Sequence, residues 1–176
     1  PAGLPGVSAA VKRRLPDIFF SGKPEIVDFF MDESEGRPFL SLLIPIFKNG
    51  IRPDVESVLA LRLDPRMYLY PYLARRSSSS RTAETHLVRR DGDDAVFLDE
   101  DRFRQNNPFP VRIPLRDNTI FGQAVEGREG LIRGIDDRRN PVIACLRRVP
   151  GSPWFLVAQI DADELYAPAR KRFLGQ

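Results

Sequence analysis

The chain has one cysteine and one histidine in 176 residues. Cys145 cannot form a disulfide within the chain, and no cysteine-based metal cluster can be built. His86 excludes a two-histidine metal site and the H-E-x-x-H motif. The nucleophile elbow G-x-S-x-G, the phosphate loop G-x-x-x-x-G-K-[ST] and the dinucleotide motif G-x-G-x-x-G are all missing. Lysine is scarce, with only Lys12, Lys23, Lys48 and Lys171. The longest nearly unbroken apolar run, Phe39–Phe47, falls far short of the ~20 residues of a membrane span. These absences speak against a metalloenzyme, a serine hydrolase and a nucleotide-binding protein. A small hydrolase with a diffuse carboxylate site is the last enzymatic reading left open.

What the chain does have is 42% hydrophobic and 29% charged residues, a balance that suits a folded domain or two small lobes. The net charge of +3 comes mainly from arginines mixed with acids, as in Arg89–Asp94 and Asp99–Arg104. A nucleic-acid binder gathers its positive charge on one face, so no nucleic-acid partner is expected. The carboxylate clusters Asp91/Asp93/Asp94 and Asp99/Glu100/Asp101 lack calcium-loop spacing, so no metal is expected and no cofactor is implied. The chain begins at a proline and ends in ARKRFLGQ after a helical pattern, which reads as a piece of a longer protein.

Along the chain, Ser8 caps a short helix, Ala9–Leu15, stopped by Pro16. Glu25–Met31 reads as a strand. Pro38–Phe47 reads as a strand buried on both faces, with Pro45 marking an edge or bulge. Ser57–Asp64 is a return strand. Asp64-Pro65 opens a helix that Pro71 ends. Arg75–Arg81 is a serine-rich linker. Thr85–Glu100 is a hairpin turning at Asp91-Gly92. Asp101–Asn118 holds three prolines and is an irregular loop. Thr119–Gly127 is a short helix and Glu129–Asp136 a strand. Asn140–Pro168 reads as strand, Pro-Gly turn, strand and helix, with Asp161 and Glu164 forming a capping-box-like start.

The order strand–turn–strand–turn–strand–helix occurs twice. Leu63-Asp64-Pro65 through Pro71 lies beside Ile160-Asp161-Ala162 through Pro168 at a constant offset, with the strand end, capping Asp and helix-stopping Pro coinciding. The expected lobes are 1–76 and 83–176, joined by a linker at 77–82. Only the second has a hairpin in front of it. The first is therefore incomplete, and its open sheet edge invites a homodimer.

The words LIPIF…VLALRLDPRMYLYP, AETHLVRRDGDDAVFLDE and REGLIRGIDDRRNPVIACLRRVPGSPWFLVAQIDADELYAP resemble the extracytoplasmic double Cache (PAS-like) sensor domains of bacterial histidine kinases, diguanylate cyclases and chemoreceptors. The resemblance implies an α+β fold of antiparallel sheet lobes with flanking helices. It also implies a non-catalytic, periplasmic ligand sensor on a membrane-anchored parent, relaying its signal through the C-terminal helix. A cytoplasmic PAS-like regulatory module is the alternative. The amino-acid-binding signature of some Cache domains is not recognisable, so no ligand class carries over. From the residues themselves, Arg112, Arg116, Arg133 and Arg147, with His86, lie in or beside the elements that would wall a pocket. Guanidinium groups grip carboxylates in pairs, which points to a small organic anion. Tyr68, Tyr70 and Tyr72 are candidates for a pocket in the first lobe, although their spacing also suits packing.

Overall fold

The computed structural model describes residues 7–32, 35–48, 54–74, 80–99 and 111–174. The chain forms two compact units, Pro1–Tyr68 and Leu69–Gln176. The first contains α1 (Ala9–Ser21) and the strands β1 (Glu25–Asp32), β2 (Arg37–Phe47) and β3 (Val55–Leu63). The second contains α2 (Leu69–Leu73), β4 (Glu84–Asp91), β5 (Asp94–Phe97), β6 (Arg112–Pro114), α3 (Ile120–Val125), β7 (Gly130–Ile135), β8 (Pro141–Arg148), β9 (Trp154–Asp161) and α4 (Ala162–Leu174). Both sheets are antiparallel throughout, in orders β1-β2-β3 and β6-β5-β4-β9-β8-β7. The class is α+β, as expected.

In the first unit, the Ser8 side chain accepts from Val11 N at 3.3 Å and starts α1. The helix then runs through Pro16, where the sequence predicts its stop, and continues to Ser21. Pro16 is exposed, whereas Val11, Leu15 and Ile18 recur at helical spacing and pack with Val27, Leu43 and Val58 of the sheet. Burial of that stripe outweighs the lost hydrogen bond. Gly22 ends the helix at φ 60°, and a Cβ there would meet the Phe47 ring at 3.3 Å.

β2 does not bury both faces. Its burial alternates, with Phe39, Ser41, Leu43 and Pro45 buried beneath α1 and their neighbours only partly covered. A helix covers one side of this three-stranded sheet, so period-2 patterning returns. Pro45 lies beyond Glu25↔Leu43, the last pair with β1, and next to a register shift at Ile46/Phe47. It therefore removes no hydrogen bond to β1, while it still pairs with Val58 of β3. Pro71, predicted to end a helix, lies inside α2, whose first residue is Leu69. Asp64 serves instead as a turn residue, accepting from Arg66 N at 3.0 Å.

In the second unit, Gly92 at φ 62° makes the β4–β5 turn, and Asp91 pairs with Asp94. Thr119 caps α3, which lies across the sheet. The core joins Val88, Phe97, Ile120, Phe121, Leu146, Phe155 and Val157. Helix and sheet approach so closely that a Cβ on Gly134 would sit 2.6 Å from the Ile120 side chain. Glu164 does not close a capping box on Asp161. Its carboxylate accepts from Arg81 N (2.9 Å), Thr82 N (2.8 Å) and Thr82 Oγ1 (2.6 Å). Those hydrogen bonds, Thr82's first, hold its pKa down at about 2. Pro168, predicted as a stop, lies within α4.

The duplicated pattern corresponds to two meanders, β1-β2-β3 and β7-β8-β9, each preceded by a helix. The β4–β5 hairpin sits against β9 in the second unit. β3 has no corresponding partner among the described residues.

Candidate functional site

Two polar constellations lie on the helix-covered faces, one in each unit. In the first unit a cavity of about 140 Å³ opens between the start of α1 and the sheet. Val11 and Phe30 wall it, and Ser8, Asp32, Ser41 and Arg62 bring polar groups to it. Ser41 stands between Phe39 and Leu43 on the core face of β2, and only 2% of it is exposed. Its hydroxyl makes no hydrogen bond among the described residues. The hydroxyl opens on the cavity and leaves a donor and an acceptor for whatever enters.

Arg62, opposite Ser41 on β3, bonds Asp32 at 2.8 Å and also pairs with Glu35. Arg37 pairs with Glu35 and Asp64. Both guanidinium groups stack on Phe39, Arg62 at 4.1 Å and Arg37 at 4.7 Å from its ring centre. Arg37's hydrogen bond, with Arg62's behind it, holds the Glu35 carboxyl below its ordinary range. The site thus presents a carboxylate, an anchored guanidinium, an unpaired hydroxyl and the positive end of α1.

In the second unit His86 is buried between two carboxylates, with Nδ1 2.9 Å from Asp99 and Nε2 3.3 Å from Glu84. Its ring meets Phe97 and Phe121 edge-on, at 5.0 and 5.6 Å. Burial alone would push the imidazole pKa down. The hydrogen bonds and charges of Asp99 and Glu84 outweigh it and raise the pKa to about 9. His86 is therefore an imidazolium at neutral pH, with both ring nitrogens donating. Asp99 also accepts from Leu87 N at 2.7 Å. Glu84 also accepts from Gln159 (3.1 Å) and Arg138 (3.3 Å), and Arg138 continues to the fully buried Asp136 (2.9 Å). One oxygen each of Glu84 and Gln159 stays buried without a hydrogen-bond partner. The cluster is mostly self-satisfied, which is the pattern of a structural network.

The candidates from sequence are not brought together. Arg112 is exposed and pairs with Asp91 and Asp94 at the hairpin tip. Arg116 is exposed beside α3. Arg133 points away from the core and stacks on Tyr166 of α4, 5.4 Å from the ring centre. Arg147, paired across from Leu156, is exposed. His86 alone lies on the buried face. Tyr70 is buried in α2, while Tyr68 and Tyr72 are exposed. Glu100 and Asp101 lie outside the described residues. Among the described residues no group of His, Cys, Asp or Glu could hold a metal ion, and no helix is long and apolar enough to cross a membrane. Sequence reasoning did not single out Ser41, Asp32 and Arg62. The available signal was polar residues at core-facing positions of otherwise apolar strands.

Helices laid over antiparallel sheets of this strand order are consistent with a PAS-like/Cache architecture. Solved structures share it. One is the extracellular domain of mmHK1S-Z3, assigned as a histidine kinase: 15% identity, TM-score 0.59, covering 89% of this chain and 55% of that one. The ligand-binding domain of the Pseudomonas fluorescens chemoreceptor CtaA, in complex with L-serine, has 18% identity and TM-score 0.57 over 91% and 64% of the two chains. That of the Pseudomonas aeruginosa PAO1 chemoreceptor PctB, with L-Arg, has 16% identity and TM-score 0.58 over 100% and 64%. At such identities the likeness is one of fold. The chain spans less than two thirds of the length of each of these structures. No family model matches the sequence, and no curated protein matches it.

Proposed function

We propose that this chain is the extracytoplasmic ligand-sensing part of a membrane-anchored signal-transduction receptor, and that the cavity beneath α1 is its ligand seat. The observation that carries the reading is the unpartnered Ser41 hydroxyl facing a cavity that also receives Asp32 and Arg62. The likeness of fold to chemoreceptor and kinase sensor domains supports the receptor context. A cavity of this size takes a molecule of a few heavy atoms, well below the roughly 300–1,000 Å³ of drug-sized sites. Facing charges of both signs favour a small zwitterion over a simple anion. Its carboxylate would lie toward Ser41 and the start of α1, and its ammonium toward Asp32. The neighbours CtaA and PctB were solved with amino acids bound, which agrees with a small α-amino acid. The signal leaves through α4, and a ligand moves it only by preferring one of two states of the protein.

A thermal-shift screen with L-alanine, L-serine, succinate and putrescine tests this. The amino acids should raise the melting temperature, by the equivalent of about 2.7 kcal/mol at a hundredfold excess over Kd. The shift should vanish in Ser41→Val and Arg62→Met. A shift with succinate alone would restore the organic anion, and no shift with any of the four would remove the ligand seat.

A further inference from the structure

The face that the second sheet turns to α3 is apolar over most of its length and polar at one corner. Glu84, the first residue of β4, pairs with Gln159 of β9. Asp161, the last residue of β9, lies two positions further along the same face. Glu84 engages His86, Gln159 and Arg138 through a single carboxylate oxygen, and its other oxygen, Oε1, is buried without a partner. Gln159 is 4% exposed. It donates its amide to Glu84 and leaves its own Oε1 buried and unpaired. The Asp161 carboxylate makes no hydrogen bond or ion pair among the described residues. Three acceptors are thus left over on three neighbouring side chains. Asp161 is half-buried, which opens the corner to solvent.

The charge around them is unbalanced in the same sense. The carboxylates of Glu84, Asp99, Asp136 and Asp161 stand against the cations His86 and Arg138. Burial pushes the Asp161 carboxyl pKa up. Arg138 opposes the rise, and the charges of Asp136, Glu84 and Glu164 add to it. Unpaired buried acceptors and excess negative charge are both unfavourable, and one kind of group relieves both, a cation rich in donors. We propose that this corner of the second unit seats the ammonium head of a small primary amine. An ammonium offers three N–H donors in diverging directions to the three acceptors. A water has two donors and no charge. A guanidinium matches the paired oxygens of one carboxylate, and Glu84 has only one oxygen remaining. Neighbouring side chains on one sheet face start about 5 to 7 Å apart, so one nitrogen with hydrogen bonds of about 2.9 Å reaches all three. An amino acid is disfavoured, because its carboxylate would meet Asp136 and Asp161. The seat therefore differs in chemistry from the cavity beneath α1. Asp161 immediately precedes α4, and its backbone N–H donates to Thr82 Oγ1 at 3.1 Å. An amine there ties β4 and β9 together at the root of α4. That consequence for signalling rests on the receptor reading, whereas the binding itself does not.

Two-dimensional NMR of the backbone amides of the whole chain, titrated with methylammonium chloride, tests the seat. Tetramethylammonium chloride is the control, since it has the charge without the donors. The amides of Glu84, Gln159 and Asp161 should shift with methylammonium alone, while that of Ser41 stays in place. Asp161→Asn, at a half-buried position, should weaken the binding about tenfold by removing a charged hydrogen-bond partner. Gln159→Met, which keeps the length of the side chain and removes the acceptor, should weaken it as well. Ser41→Val should leave it unchanged, so failure of the cavity beneath α1 and failure of this seat are read separately. Equal shifts with both cations would reduce the effect to charge screening and overturn the proposal. No shift with methylammonium, or binding that neither variant weakens, would overturn it too.

Discussion

The two meanders share one plan and treat it in opposite ways. In the second unit α3 lies so close to the sheet that only glycine fits at position 134, and β4 fills the far edge of β9. No slack remains, and the polar groups that β4 brings, Glu84 and His86, are absorbed into a buried network. In the first unit α1 leaves a gap at its start, and β3 has no neighbour on its far side among the described residues. Packing consumes most of the polar groups of the second lobe, whereas the first leaves a gap lined by Ser41, Asp32 and Arg62. The difference teaches that the repeated pattern specifies a scaffold, and that the helix–sheet spacing and the edge partner determine its use.

The sharpest way to break this comparison is to cut side chains from the two third strands. Phe155→Ala in β9 should cost about 3–5 kcal/mol by urea unfolding, because it empties a filled core. Leu61→Ala in β3 should stay within about 0.5 kcal/mol when the chain is monomeric. Similar costs at both positions would mean that β3 is packed as fully as β9.

The ion networks offer a second contrast of comparable size. His86→Leu should cost about 3–5 kcal/mol, since two buried carboxylates lose their cation. Arg62→Met, in a network a third open to water, should cost about 1 kcal/mol or less. The histidine also carries a pH signature. Its pKa is raised on folding, so its contribution is complete below 6.5 and is lost as pH rises through about 9. Urea midpoints should therefore fall across that window in the parent chain, and much less in His86→Leu.

The smallest expected effect sharpens the difference in helix spacing. Gly134→Ala forces a methyl group into Ile120 and should cost about 1–3 kcal/mol, read from the thermal midpoint. Ala60→Gly, beside the cavity of the first unit, should cost about 1 kcal/mol or less, mainly through backbone entropy.

Much of the scaffold was legible in the residues. The Asp91-Gly92 turn, the Ser8 cap and the positions of most strands are local features, and local chemistry sets them. Prolines were read too strictly. Pro16 and Pro71 lie inside helices because tertiary burial or position in the first turn compensates for the missing donor, and Pro168 lies inside α4 with nothing in the structure to explain it. Glu164 went to Thr82 because residues distant in sequence had become nearer partners than its own helix start. The candidate site was the least legible part. Arg112, Arg116, Arg133 and Arg147 lie in or beside the expected elements, yet which face each strand turns to its helix depends on pairing register, and a shift of one residue inverts it.

By itself the sequence determined two antiparallel lobes with flanking helices and excluded two-histidine metal chemistry and within-chain disulfides, since composition and period need no partner to be read. Only the tertiary structure decided that Ser41 would face a cavity and that His86 would be locked between carboxylates. Each of these depends on which distant residue comes to lie opposite, and no local signal carries that information.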